Sequence, residues 1–466
     1  MKPKNGETVY RLIHSQEMVQ YMWRYTLHMQ ATQIPVSIAF EEPLDFRIIA
    51  RAVNVEIARN DCLRLRIFRS GLKIKQFFLK AYQLEKIPCV TFTSKEDQET
   101  YLDRDASKKL DVFGGECFRI IFFQTHDGKS GIYLNVSHMM MDFVATFIFF
   151  RDLMAVYDAL KNGTDLPKPL SKYEDIIRNE QNNPALEARL KKEGAVLDDW
   201  VVMDRRPKFC LMNGQGVVDR HSRLVHKKDL NMPFVYMPLN DATHLLKLYL
   251  SQEDSQKISD FLDANNVSAE LVLQLGLRTC LSAYNRHAND SLFWVLCPRR
   301  KTVKEKRCGG TLASPMPWRE ILPETLTFRE ALTQLEDTQA FLFRYSDVPF
   351  TTIRTSELKR FHMTLLQSCN SMMFSYLPLN EKTFGGRRFE FSGYNFGHYV
   401  MPVYTIATRD PWTGRFVFSY IHRLWLTNDA DVLQFHDGVV RTLRAGIEDP
   451  DKTLGQIMEE VSCCRN

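Results

Sequence analysis

The sequence predicts an α/β fold divided into two lobes. Segments with helical periodicity alternate with strand-like runs along the chain, as expected when helices pack on sheets. The length of 466 residues is about three times that of a typical single domain. The composition is 44% hydrophobic and 25% charged, which is typical of a folded globular protein and not of a disordered one.

The first elements lie within residues 34–68. "VSIAF" is predicted to be a strand, and Asp45 is a suitable N-cap for the helix that follows. "CLRLRIF" alternates leucine or isoleucine with arginine and predicts a second strand. The helix between them carries apolar residues at helical spacing, among them Ile48, Ile49, Val53 and Ile57.

Residues 117–138 predict a β-hairpin, because two strand-like runs flank "HDGK" and Asp-Gly favours a tight turn. The second strand is predicted to end at His138. From Phe143 the apolar period becomes helical, and Gly163 is a natural C-terminal stop for this helix. His138 is therefore expected where a strand ends and a helix is about to begin.

The stretch 162–184 is rich in proline, asparagine and charge and is the expected connection between the lobes. We predict an N-terminal lobe over residues 1–175 and a C-terminal lobe over residues 176–466. The second half predicts further helices and strands. The helices are "SQEDSQKISDFLDANN", "SAELVLQLGLRTCLSAYNRH" and "DADVLQFHDGVVRTLRAGIEDP", and the strands are "SLFWVLCP" and "GRFVFSYIHRLWL".

The charge and cysteine content exclude several classes of protein. The net charge of +5 permits an acidic partner, but the longest basic run, "PRRKTVKEKR", is interrupted by Glu305 and is expected to be a solvated loop rather than a functional patch. No nucleic-acid partner is therefore expected. The ten cysteines include no CxxC pair. There is no signal-peptide pattern and no long apolar stretch, so we expect a reduced, cytoplasmic protein without a membrane span.

His138 and Asp142 stand four residues apart within "YLNVSHMMMDFVATFIFFRDL", which is otherwise almost entirely apolar. Three interpretations are open. The histidine could be a satisfied core residue; the pair could bind a metal, although His138 precedes the helix and no further ligand lies nearby in the sequence. The third is acyl transfer, in which a neutral imidazole removes a proton from the nucleophile or holds it in line.

A family resemblance favours acyl transfer. "SHMMMDF" resembles the His-His-x-x-x-Asp-Gly motif of the condensation domains of nonribosomal peptide synthetases, which belong to the chloramphenicol-acetyltransferase-like superfamily of CoA-dependent acyltransferases. Other segments are similar to further motifs of that family, in the same order along the chain. These are "HSQEMVQYMW", "PLDFRIIARAVNVEIARNDCLRLRIF", "LSKYEDI", "SDVPF", "NSMMFSY" and "IEDPDKTLGQI".

The resemblance implies roles for individual residues. His138 corresponds to the catalytic histidine, and Asp142 to the structural aspartate, which the family pairs with an arginine; the matching position here is Arg64. Ser137 replaces the first histidine of the motif, whose role in the family is mainly structural. Phe143 replaces the glycine and is expected to narrow the substrate tunnel on the acceptor side. "RCGGTLASP" only loosely resembles the corresponding family segment.

The resemblance also implies an architecture and a reaction. The fold would be a V-shaped pseudo-dimer of two chloramphenicol-acetyltransferase-like lobes with an active-site tunnel between them. The expected protein is a free-standing condensation enzyme that joins a thioester-bound acyl group to an amine or alcohol, forming an amide or an ester. The donor would be CoA or the phosphopantetheine arm of an acyl or peptidyl carrier protein acting in trans, and the acceptor a small molecule; no tightly bound cofactor and no metal are expected. The alternative is a catalytically degenerate domain that binds a carrier protein or another partner.

Overall fold

A computed structural model describes residues 1–4, 6–203, 206–214, 240–379 and 381–463. The chain forms two compact units. The first consists of Met1–Leu190, Pro298–Ser314 and Glu381–Gly397, and the second of Lys191–Cys297, Pro315–Asn380 and His398–Asn466. The α/β fold in two lobes is confirmed, since each unit contains its own sheet and helices.

The strands are numbered in chain order. They are β1 Val9–Arg11, β2 Gln33–Phe40, β3 Leu65–Ser70, β4 Lys73–Phe78, β5 Cys89–Thr91, β6 Phe118–Gln124, β7 Ser130–Ser137, β8 Thr243–Tyr249, β9 Asp290–Cys297, β10 Ser314–Ile321, β11 Asn370–Leu377, β12 Thr383–Phe384, β13 Arg387–Gly393, β14 Val403–Arg409 and β15 Phe416–Arg423.

The helices are numbered in the same way among the described residues. They are α1 His14–Met22, α2 Phe46–Arg59, α3 Lys95–Ala106, α4 Phe143–Asn162, α5 Tyr173–Gln181, α6 Pro184–Val202, α7 Gln252–Asn265, α8 Ala269–Tyr284, α9 Val303–Lys306, α10 Phe328–Arg344, α11 Phe350–Arg360, α12 Asp429–Glu448 and α13 Leu454–Cys463. Short 3-10 helices cover Met29–Thr32 and Asp61–Arg64.

The first unit is built on a six-stranded sheet of order β12-β13-β2-β7-β6-β5, with a separate three-stranded sheet of order β1-β4-β3. Every residue of β7 is buried, and this strand pairs antiparallel with β2 on one side and β6 on the other. An aromatic and aliphatic core, which includes Phe123 and Tyr133, packs α3 against this sheet. Strand β7 is therefore a rigid support for whatever follows its last residue.

The second unit is built on a six-stranded sheet of order β10-β9-β11-β14-β15-β8. Strand β11 runs parallel to both β9 and β14, while β15 pairs antiparallel with β14 and β8. All residues of helix α8 except Glu270 are buried, including the polar Gln274 and Arg278. Strand β8 lies at the edge of the sheet.

Most of the predicted elements are confirmed, including the hairpin of β6 and β7, the Asp45 cap of α2 and the left-handed Gly163 at the end of α4. One prediction needs correction. The predicted strand "CLRLRIF" begins as a 3-10 helix and becomes a strand only at Leu65. The first unit, predicted as residues 1–175, runs to Leu190 and includes two later segments. Glu381–Gly397 joins it because β13 pairs with β2, and Pro298–Ser314 contacts it through Arg300 and Asp142.

None of the helices within the described ranges combines the length and the apolarity that crossing a membrane requires. Six of the cysteines that the structure describes are free thiols, and Cys89 is the exposed one among them: Cys62, Cys89, Cys117, Cys210, Cys308 and Cys369.

Candidate active site around His138

His138 follows directly after the last residue of β7. Its backbone N–H donates to the carbonyl of Thr32 at 2.8 Å, which continues the pairing with β2 by one residue. The chain then turns before α4, and Met139, Met140 and Met141 in this turn are fully buried. The carbonyl of Ser137 accepts hydrogen bonds from the N–H groups of Met140 and Met141 at 2.8 and 3.2 Å. The turn is thus fixed by its own backbone and by apolar burial.

The His138 ring is partly buried, and its Nδ1 lies 3.4 Å from the hydroxyl oxygen of Thr311. Burial lowers the pKa of the imidazole below its ordinary value of 6.5, although the nearby Asp142 carboxylate and a hydrogen bond to its own backbone act in the opposite direction. The ring is therefore neutral at pH 7. A neutral imidazole can accept a proton, which a protonated one cannot do.

Asp142 is the N-cap of α4 and is 1% exposed. Its Oδ1 accepts from the N–H of Ala145 at 2.8 Å, and its Oδ2 accepts from the N–H groups of Leu312 and Ala313 at 2.7 and 3.0 Å. Arg300 Nη2 contacts both carboxylate oxygens, at 2.9 and 3.0 Å. With four N–H groups directed at it, the carboxylate is saturated, so the structure argues against a metal held by Asp142.

Burial alone would raise the pKa of Asp142. The charge of Arg300 and the N–H groups of Leu312, Ala145 and Ala313 together outweigh burial, so the pKa lies below the ordinary value of 3.8. A carboxylate that accepts several N–H hydrogen bonds is stabilised in its charged form. Asp142 is therefore an ion at every pH at which the protein would be assayed.

Arg300 joins this aspartate to the segment Pro298–Ser314. Its side chain is 5% exposed, and it donates to the carbonyls of Glu305 and Cys308 at 2.7 Å each and to that of Gly310 at 2.8 Å. The basic run that contains Arg300 was expected to be solvated. This expectation is wrong for Arg300, because the buried carboxylate requires a buried cation.

The prediction that Arg64 pairs with Asp142 is also wrong. The guanidinium of Arg64 donates to the carbonyls of Ile57 and Ala58 at 2.6 Å and of Leu79 at 3.0 Å. Arg64 thus fastens the end of α2 to the chain that follows β4. The aspartate is paired as the resemblance implies, but with an arginine that lies 158 residues further along the chain.

Thr311, which contacts His138, is itself held by segments from distant parts of the sequence. Its N–H donates to the carbonyl of Met140 at 3.1 Å. Its own carbonyl accepts from the hydroxyls of Ser15 and Tyr173 at 3.0 and 2.9 Å. Ser15 belongs to "HSQEMVQYMW" and Tyr173 to "LSKYEDI". Two of the quoted motif segments therefore meet the His138 turn through Thr311.

Gly310 makes this close approach possible. A Cβ atom at this position would lie 2.2 Å from a ring carbon of Tyr173, so any side chain would displace the tyrosine. Tyr173 is fully buried, and its N–H donates to Asp61 Oδ1 at 2.8 Å. The loop that carries Thr311 is consequently held against a fixed ring.

Ser137 and Phe143 depart from the motif pattern in different ways. The Ser137 hydroxyl accepts from the N–H of Met139 at 3.3 Å and so has a role within the turn. The half-buried Phe143 ring packs on Phe147 and Phe391, with ring centroids 5.2 and 5.5 Å apart. The ring thus belongs to an aromatic cluster that joins the start of α4 to β13.

Solved structures share the fold of this chain. The first condensation domain of the CDA synthetase superposes with a TM-score of 0.77 at 16% identity, over 97% of this chain and 99% of that one. The starter condensation domain of rhizomide synthetase, in complex with C8-CoA, gives a TM-score of 0.80 at 13% identity, over 96% and 97% of the two chains. The chain has the condensation-domain fold.

Sequence comparison finds one matching family model and several similar curated proteins. Residues 6–194 match the family model "Condensation domain". Among curated relatives from Bacillus subtilis (strain 168), surfactin synthase subunit 1 is 21% identical over 97% of this chain, and surfactin synthase subunit 2 is 18% identical over 75%. The chain spans 12% and 9% of the length of these relatives. The matched residues 6–194 include His138 and Asp142.

Proposed function

We propose that the protein is an acyltransferase of the condensation type, which joins a thioester-bound acyl group to an amine or alcohol to form an amide or an ester. The observation that carries this proposal is the neutral imidazole of His138, held at the end of a buried strand in a turn fastened by the Asp142–Arg300 pair. Both the ionisation state and the rigidity suit a group that must accept a proton in a fixed direction.

In the proposed reaction the acceptor nitrogen or oxygen attacks the thioester carbonyl carbon. The new C–N or C–O bond forms as the C–S bond breaks, and the acceptor proton is taken by His138 and delivered to the leaving thiolate. Nδ1 of His138 faces the Thr311 hydroxyl, so Nε2 is the nitrogen that we assign to the acceptor. Proton transfer by a positioned side chain contributes about 10²- to 10⁴-fold in rate.

Asp142 and Arg300 are positioning residues in this proposal. Their polar atoms form hydrogen bonds with each other and with backbone groups. They therefore act by fixing the turn that carries His138. Thr311 is placed to hold the ring through Nδ1. Its hydroxyl can donate or accept, which lets it serve the neutral ring in either tautomer.

For the donor we propose CoA or the phosphopantetheine arm of an acyl or peptidyl carrier protein that binds in trans. The fold that this chain shares with a starter condensation domain in complex with C8-CoA supports a thioester donor of this kind. The acceptor is proposed to be a small molecule, and the protein is proposed to work without a tightly bound cofactor. The free thiols of Cys62, Cys117 and Cys308 support a location in the reducing cytoplasm.

The test is transfer from C8-CoA, and from a panel of acyl thioesters, to amines and alcohols, followed by mass spectrometry of the product. We expect His138→Ala to lose about 10²- to 10⁴-fold in rate while its melting temperature stays close to that of the wild type. His436→Ala is the matched control, because His436 is another partly buried histidine with a lowered pKa, about 4, in the other unit. A His138→Ala protein that transfers at the wild-type rate would sink the proposal.

A second candidate function, binding of a carrier protein without catalysis, is favoured by one observation. The Phe143 side chain stands where the family motif has glycine, directly after Asp142. If the ring stops the acceptor from reaching His138, a thioester would bind without being transferred. Binding of an acyl carrier protein that is the same in wild type and His138→Ala, with no turnover in either, would favour this candidate.

A further inference from the structure

We propose that His244, His422 and Asp429 in the second unit form a binding site for a zinc ion. This inference concerns a different unit from His138 and does not depend on the transfer reaction. His244 Nδ1 lies 2.8 Å from Asp429 Oδ1, and His422 Nε2 lies 3.0 Å from the same oxygen. All three ligand atoms lie within 4.8 Å of one another.

The sheet register brings the two histidines together. His244 on β8 and His422 on β15 are directly opposite residues of an antiparallel pair, so their side chains leave the same face of the sheet. Asp429 is the first residue of α12 and closes the group from the side of the helix. Since β8 is an edge strand, the group can be reached from solvent. Consistent with this, His244 and Asp429 are each 47% exposed.

The spacing of the ligand atoms is close to that of a zinc site. Zinc binds nitrogen and carboxylate oxygen at about 2.0–2.2 Å in a tetrahedron, which places ligand atoms about 3.3 Å apart. The two contacts to Asp429, at 2.8 and 3.0 Å, need to lengthen by only a few tenths of an ångström. Two histidines and a carboxylate leave a fourth position, which water can fill.

The ionisation states also suit a cation. Burial lowers the pKa of His422, so this imidazole is neutral at pH 7, although the Asp429 carboxylate opposes the shift. The pKa of Asp429 is lowered as well, chiefly by its hydrogen bond with His244. Asp431 adds a second carboxylate on the same helical turn.

Thr427 allows His422 to exchange its proton for a metal. In the structure the ring donates from Nε2 to Asp429, and its Nδ1 lies 3.1 Å from the Thr427 hydroxyl. Zinc at Nε2 requires the proton to move to Nδ1, and a threonine hydroxyl can accept that N–H as readily as it donates to the bare nitrogen. The ring then exchanges its Nε2–H hydrogen bond to Asp429 for the bond to zinc, and it keeps a hydrogen bond at Nδ1. Such a partner on the second nitrogen is what a metal-bound histidine usually has.

The experiment uses the whole chain, dialysed against chelator and titrated with Zn²⁺ by calorimetry and with Co²⁺ by visible absorption. We expect one zinc ion per chain, a rise in melting temperature on adding zinc, and a tetrahedral cobalt spectrum without a thiolate charge-transfer band. His244→Ala and Asp429→Asn should weaken binding by more than about 100-fold, since losing even an outer partner of a ligand costs about 10- to 100-fold. Thr427→Val should weaken zinc binding by about 10- to 100-fold.

His287→Ala is the matched control. His287 Nδ1 pairs with Glu324 at 2.9 Å in the same unit, and its exposure is comparable with that of His244. Among the described residues, no third metal-binding side chain converges on this pair. Zinc binding should be unchanged in this variant. The proposal is overturned if the wild type binds no zinc at concentrations of about 100 µM, or if His244→Ala and Asp429→Asn both bind it as tightly as the wild type.

Discussion

Replacing Asp142 with alanine should destabilise the first unit strongly. The change removes the acceptor for four N–H groups, one of which belongs to a guanidinium that is 5% exposed. Breaking a buried ion pair from one side costs about 3–5 kcal/mol, because the remaining charge is left uncompensated. Loss of the α4 cap, about 1 kcal/mol alone, overlaps with this figure.

The assay is thermal unfolding of the whole chain, followed by a probe in the first unit. For a folding unit of 150–250 residues, 1 kcal/mol shifts the melting temperature by about 2–4 °C, so we expect a fall of about 6–20 °C. The fall should be the same at pH 5 and pH 7. Since the pKa of Asp142 is depressed, its stabilising effect is present above the unfolded-state value of 3.8 and is lost only as the pH falls through the lower native value.

Asp142→Asn should not restore the stability that Asp142→Ala loses. Each carboxylate oxygen accepts from the Arg300 guanidinium and from at least one backbone N–H. In either orientation of the asparagine amide, its NH₂ group would therefore face other hydrogen-bond donors. A double-mutant cycle identifies the partner: Asp142→Asn and Arg300→Met should be strongly non-additive, and Asp142→Asn with Arg64→Met should be additive. A wild-type melting temperature for Asp142→Ala, or coupling to Arg64 in place of Arg300, would refute this reasoning.

Three further predictions concern the same site. The transfer rate should be independent of pH down to below 6.5 and fall at lower pH, because the lowered pKa of His138 keeps the ring neutral; a pH–rate profile that already declines above 6.5 on the acid side would contradict this. Gly310→Ala should lower both the melting temperature and the rate, since its Cβ would lie 2.2 Å from the Tyr173 ring. Gly163→Ala, whose Cβ meets nothing within 4 Å but whose left-handed backbone would be strained, should lower the melting temperature and leave the rate unchanged. Phe143→Gly should cost about 1 kcal/mol in helix propensity plus the contacts with Phe147; a wider range of acceptors would support narrowing by the ring, and a loss of stability alone would contradict it.

The sequence predicted the elements around the site well because each has a local signal. The Asp-Gly turn, the Asp45 cap and the left-handed Gly163 depend on a few adjacent residues, and all three are found in the structure. The change from strand to helix around His138 was predicted for the same reason. Local chemistry fixed the position of the histidine on the fold.

The partner of Asp142 could not be predicted in this way. Arg300 is separated from it by 158 residues, and its surroundings in the sequence are those of a solvated basic loop. Arg64, in contrast, lies in a segment that resembles a family motif, so the choice was reasonable but wrong. A signal was present, because a buried aspartate requires a cation and the basic run is a possible functional patch, but the sequence does not say which arginine is buried.

The structure assigns different weight to the two departures from the family motif. The turn that carries His138 is fixed by the carbonyl of Ser137, by the burial of Met139 and by the Asp142–Arg300 pair. None of these contacts needs a histidine side chain at position 137, and the serine hydroxyl adds a hydrogen bond of its own. Replacement of the first histidine is therefore no argument for lost activity. The case for a degenerate domain depends on the Phe143 ring, and one substitution there can decide it.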